Sequence, residues 1–129
     1  MYLKRFKDKE IICDYTIFLS KKYSEEYSKS CGYSKRSLNC IHPTELVTLS
    51  LKEYLCLEPI PNGSIHSSQE IEIFMPIPYE TRLLCKVYLD SSKNIKDKRM
   101  VMIKTNYFDS NNKLVASSKG TLLVPASWS

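Results

Sequence analysis

No stretch of this chain stays apolar for the roughly 18 residues that a membrane-crossing helix requires. The basic N-terminus, MYLKRFKDKEIICDY, has no long apolar core behind it. Neither a membrane span nor a signal peptide is expected, and the expected location is cytoplasmic. Histidine is scarce: His42 and His66 are the only two. They stand far apart, with no cysteine or carboxylate at ligand spacing, so no metal site is expected. The five cysteines, Cys13, Cys31, Cys40, Cys56 and Cys85, contain no CxxC pair, and an odd number cannot all pair within one chain. They read as free thiols, several of them buried. Cys40 and His42 form the one close Cys/His pair, and in an extended segment they could share a face. There is no internal repeat and no low-complexity segment. A basic stripe interleaved with aromatics is missing too. The net charge of +5 comes from scattered groups: Lys21 and Lys22, Lys35 with Arg36, and a cluster of Lys93, Lys96, Lys98 and Arg99 around Asp97. Such a pattern does not indicate a nucleic-acid partner.

What remains is a chain of 129 residues, the size of one domain with one real core. It divides into a helical first half and a strand-rich second half. Asp14 to Phe18 is a short apolar stretch. Ser20 can cap a helix through SKKYSEEYSKS, with Tyr23 and Tyr27 on one face, and Gly32 is placed to end it in the left-handed conformation. That helix is weakly apolar and is expected at the surface. The segment NCIHPTELVTLSLKEYL then reads as a second helix. Pro43 suits its first turn, where an N–H would be unpaired. Leu46, Val47, Leu49, Leu51, Tyr54 and Leu55 are apolar nearly all round, the mark of a buried helix that ends before Glu58-Pro59.

After Gly63 the period changes to two. Strands are predicted over Ile65–Phe74, with Ile71 and Ile73 on one face, and over Arg82–Leu89, Arg99–Phe108 and Leu114–Val124. Pro76 and Pro78 end the first of these or push it to an edge. The lysine cluster forms one solvated hairpin tip. DSNNKL forms the next turn, where Asn111 and Asn112 tolerate positive φ. A long buried helix with an antiparallel meander is an α+β layer fold. Its exposed sheet edges call for pairing with a second chain.

Taken in order, the helix IHPTELVTLSLKEYL, the turn PNG, the segment SIHSSQEIEIFMPIP and the closing KLVASSKGTLLVP resemble the hotdog-fold MaoC-like hydratases and dehydratases, particularly their N-terminal-type dehydratase domain. The shared features are the HPT helix start, the His-x-x-Gln-Glu strand running into a proline, and the closing strand. The likeness spans roughly residues 12–125 and implies a single hotdog domain over 1–129, an antiparallel sheet wrapped around a long central helix. It further implies a homodimer or heterodimer with a second hotdog subunit, and no cofactor. An acyl thioester of coenzyme A or acyl carrier protein threads between the subunits. Active members hydrate an enoyl thioester or dehydrate a 3-hydroxyacyl thioester with the Asp and His of a Gly-Asp-x-Asn-Pro-x-His motif. A backbone N–H near the helix start polarises the thioester carbonyl. This is a base beside its substrate and a fixed donor where negative charge develops.

The chain departs from that motif. With Gly32 at the motif glycine, Tyr33 stands at the aspartate and Leu38 at the histidine, and neither can serve as base. The resemblance then implies a dyad-lacking subunit that binds the acyl group beside a dyad-bearing partner. His42, Pro43, Thr44, Leu46 and Leu49 are the expected acyl-binding wall. His42, at the helix start, reads first as a cap, with Asp14 or Glu45 as conceivable partners were it a base. His66 is expected to share a sheet face with Glu70 as an acid–base or simply hydrogen-bonded pair. Two other functions compete. One is an active hydratase, dehydratase or thioesterase of the same fold using His42, His66 or Glu45. The other is a non-enzymatic acyl-CoA-binding protein.

Overall fold

The computed structural model describes residues 9–32 and 40–125. In chain order its elements are β1 (Ile11–Leu19), α1 (Lys21–Ser30), α2 (Pro43–Leu57), β2 (Ile65–Ile73), β3 (Thr81–Ile95), β4 (Lys98–Phe108) and β5 (Leu114–Pro125). The strands form one antiparallel sheet in the order β1-β3-β4-β5-β2. Helix α2 lies against one face of it. This is the α+β hotdog arrangement. Tyr33, Leu38 and Trp128 lie outside the described residues.

The second half follows its period-two pattern closely. Ile95 pairs with Lys98 across a two-residue tip where Lys96 takes φ +55°. The turn after β4 is held by Asp109, whose Oδ1 accepts the N–H groups of Asn111 and Lys113 at 2.9 Å each, and Asn112 sits at φ +60°. Strand β3 runs six residues past Leu89, because a register shift between Leu89 and Ser91 absorbs the polar Asp90 without ending the ladder.

The first half is less helical than its sequence implies. Asp14–Phe18 is the middle of a nine-residue edge strand, β1, paired with β3. Ile17 and Leu19 turn inward while Asp14, Thr16 and Phe18 stay exposed. One polar face makes the run look short when only apolar length is counted. Helix α1 starts as expected: the Ser20 Oγ accepts the Tyr23 N–H at 3.0 Å. It stops at Cys31, with Gly32 at φ +82°. Its buried residues are Ser24 and Ser28, small side chains that let the helix sit close over the start of α2.

Helix α2 is buried on one side only. Leu46 and Leu49 join a core cluster with Ile17, Leu83, Tyr107 and Val115, and Tyr54 joins a second with Val87, Val101 and Val124. Leu51 and Leu55 are half-buried and Leu57 is 50% exposed. A single sheet can cover only one flank of a helix that is apolar all round. The outer strand beside that flank is β2, whose residues 65–70 are all exposed. Among the described residues no helix is long and apolar enough to cross a membrane.

Candidate functional site

The start of α2 is a packed polar joint. His42 is the N-cap residue, in extended backbone, and its Nδ1 accepts the Thr44 N–H at 3.2 Å. The Thr44 Oγ1 lies 2.7 Å from the same nitrogen and accepts the Tyr27 hydroxyl at 2.9 Å. With Nδ1 as acceptor, the cap satisfies one of the helix's four orphan donors. Glu45, in the first turn, is fully buried, and its Oε1 accepts the Ser24 hydroxyl of α1. Cys40 lies in the extended lead-in and bridges Pro78. Asp14 projects from the sheet face opposite α2, beside Lys86, and cannot be a partner for His42.

The cleft lies further along the helix. It has a volume of about 170 Å³ between the C-terminal two-thirds of α2 and the sheet. The helix contributes Val47, Ser50, Leu51, Tyr54 and Leu55, the segment after it Ile60, and the sheet Tyr15, Ile103, Thr105, Ser118, Gly120 and Leu122. His66 and Gln69 of β2 stand at its edge. Of the expected wall, none of His42, Pro43, Thr44, Leu46 or Leu49 borders it, although neighbouring residues of the same helix do. Glu45 does not border it either. Helical periodicity shows which residues are apolar, but not which flank the sheet leaves uncovered.

His66 reaches the cleft through a device that alternation alone hides. A register shift between His66 and Ser68 puts His66 opposite Leu122 and Gln69 opposite Gly120. One extra residue reverses the alternation. His66 and Gln69 therefore share the helix-facing side, where Nε2 and Oε1 lie 2.8 Å apart. Glu70 pairs with Lys119 and faces the other way, into a charged depression with Glu72 and Lys104. The expected His66/Glu70 pair is thus corrected: the bulge sends the two side chains to opposite faces. Gly120 makes room for the new arrangement. A Cβ there would stand 2.8 Å from Gln69 Oε1 and 3.6 Å from His66 Nε2.

The cleft floor is a chain of hydroxyls. The Tyr15 hydroxyl donates to the Ser50 carbonyl at 2.8 Å. The Ser50 Oγ donates to the Val47 carbonyl at 3.1 Å and lies 2.7 Å from the Tyr107 hydroxyl, which lies 3.0 Å from Ser118 Oγ. Burial raises the pKa of Tyr107 to about 12 and also raises that of Tyr15, so both phenols stay protonated at neutral pH. Burial likewise pushes the Cys85 thiol up to about 12, which leaves it inert as a nucleophile. No Asp, Glu, Lys, Arg or Cys lines the cleft among the described residues. Nor do the described residues bring together three or more His, Cys, Asp or Glu that could hold a metal. The cleft is a neutral, mainly apolar receptacle with hydroxyls at its base and one imidazole at its edge. It can hold and orient an apolar group with an oxygen on it, but among the described residues it has no carboxylate to move a proton.

No family model and no curated protein sequence matches the chain. Solved structures do. A MaoC-like dehydratase from Rhodospirillum rubrum superposes with a TM-score of 0.77 at 11% identity, covering 97% of each chain. An (R)-hydratase from A. caviae involved in PHA biosynthesis gives 0.70 at 13% identity, covering 93% of this chain and 98% of that one. The HadBC complex of Mycobacterium tuberculosis, a 3R-hydroxyacyl-ACP dehydratase, gives 0.71 at 12% identity, covering 90% and 96%. At such identities the likeness establishes the fold.

Proposed function

We propose that the chain is a MaoC-like hotdog subunit that binds an acyl thioester, of coenzyme A or acyl carrier protein, and works beside a dyad-bearing partner in a hydratase or dehydratase. The observation that carries this reading is the neutral cleft. Addition or removal of water at an enoyl thioester needs a positioned acid and base, and no carboxylate borders the cavity among the described residues. The exposed edge of β2, running beside the uncovered flank of α2, supports pairing with a second hotdog subunit. The two-chain dehydratase among the structural neighbours fits such a partnership. The test is crotonyl-CoA hydration, followed as loss of enoyl-thioester absorbance. No turnover by the protein alone and turnover once a dyad-bearing hotdog partner is added is the expected result. Turnover by the isolated protein overturns it.

A second reading, an active enzyme, rests on His42. When the motif register is anchored on a histidine rather than on Gly32, its Asn and His fall on Asn39 and His42, with Cys40 at the proline and Ser37 at the aspartate. In neither register does an aspartate stand at the motif position. Turnover by the isolated protein that is lost in His42→Ala supports this reading. Loss in His66→Ala instead assigns the base to the cleft edge.

A further inference from the structure

Thr105 lies midway along β4 and points to the α2 side of the sheet, where it borders the cleft. Its residue is only 8% exposed, but its hydroxyl oxygen opens onto the cleft and makes no hydrogen bond among the described residues. A hydroxyl that opens onto an apolar cleft without a protein partner is available to whatever occupies that cleft. Thr105 is also the direct cross-strand partner of Ser118. Such pairs place their Cβ atoms about 4.5–5.5 Å apart, and both residues border the cleft.

The hydroxyl chain has a direction. Ser50 gives its proton to the Val47 carbonyl. Tyr107 then donates to Ser50, and Ser118 donates to Tyr107. Ser118 is left with lone pairs for the cleft and Thr105 with a proton. One donor beside one acceptor matches a ligand hydroxyl, which needs one of each. The volume of about 170 Å³ bounds what carries that hydroxyl. Engineered apolar cavities of about 150 Å³ take up benzene, so the cleft accepts a body of about six carbons.

We infer that the cleft is a subsite for a compact apolar group of about that size bearing a hydroxyl, which accepts from Thr105 and donates to Ser118. This deepens the acyl-binding reading and rests on it for the thioester only: the acyl chain would carry a hydroxyl on the part lodged in the cleft.

Phenol and toluene are matched probes, equal in size and differing by hydroxyl against methyl. Both are titrated by NMR into the full-length protein, its Thr105→Val variant and its Thr105→Ser variant, with hexanoyl-CoA titrated separately. The expected result is a preference for phenol over toluene that falls about fivefold in Thr105→Val and is retained in Thr105→Ser. An unchanged phenol-to-toluene ratio overturns the inference, whatever hexanoyl-CoA does. So does failure of both probes to bind, as when a second copy fills the cleft. A shifted ratio with no hexanoyl-CoA binding leaves the hydroxyl subsite standing and removes the thioester reading instead.

Discussion

The two ends of α2 use the same kinds of residue to opposite effect. At its start, His42, Thr44 and Tyr27 bond one another, Glu45 receives Ser24, and Leu46 and Leu49 are packed by sheet and α1. Past Ser50, the helix faces a cavity, Leu51 and Leu55 are half-covered, and Thr105 opposite them holds a hydroxyl with no bond among the described residues. Groups that satisfy each other make a joint; groups that do not are available to a ligand. The contrast separates stability from binding along one helix.

The largest effect expected is therefore on stability, at the start. Leu46→Ala is expected to cost ~2–5 kcal/mol, the range for truncating a fully buried leucine. Leu55→Ala, only partly buried beside the cleft, is expected to cost less, about 1 kcal/mol. Urea unfolding of the two variants checks this. Equal losses would mean that the cleft flank is packed in solution, and the contrast would collapse.

Tyr107→Phe comes next, because the phenol joins the two regions. Its removal leaves the Ser50 and Ser118 hydroxyls short of a partner in a buried setting. A loss of ~1–3 kcal/mol is expected, measurable in the same unfolding experiment. A neutral result would show that water from the cleft replaces the phenol. His42→Ala should be milder, about 1 kcal/mol for a lost N-cap. If His42 is only a cap, the variant binds phenol in the cleft as wild type does. Changed binding would connect the two ends.

The strands β3, β4 and β5, both helices and their caps were legible because each depends on local chemistry: alternation, Ser20 and Pro43 at helix starts, Gly32 and Asn112 at positive φ. The site was not. HPT drew attention to His42, where the sequence is most distinctive, but distinctive capping chemistry and an open cavity are separate things. The cavity depends on which flank of α2 the sheet leaves bare, a tertiary outcome. The His66/Glu70 pairing failed on a single bulged residue, since a period-two argument presumes that no residue is inserted. The signal that could have found the cleft edge was Gly120. It is one of only three glycines and stands inside a strand pattern, where glycine marks a bulge or a close approach.

That close approach supplies the smallest and most specific test. Gly120 has no positive φ, so its backbone accepts alanine, but the new Cβ would meet Gln69 Oε1 at 2.8 Å. Gln69 is exposed and its amide end can swing away, so Gly120→Ala should cost less than about 1 kcal/mol. In a Gln69→Ala background the obstacle is gone. Alanine then restricts the unfolded chain more than glycine does, and the substitution should become neutral or stabilise by ~0.4–1 kcal/mol. The double-mutant cycle should accordingly show a coupling of about 0.5 kcal/mol or more. The displaced Gln69 also releases His66, so the histidine ring resonances should shift in Gly120→Ala while those of His42 stay in place. Additive energies with unmoved His66 resonances would mean that the His66–Gln69 contact is not held over Gly120. The difference between a closed helix start and a ligand-facing far half would then rest on the hydroxyls alone.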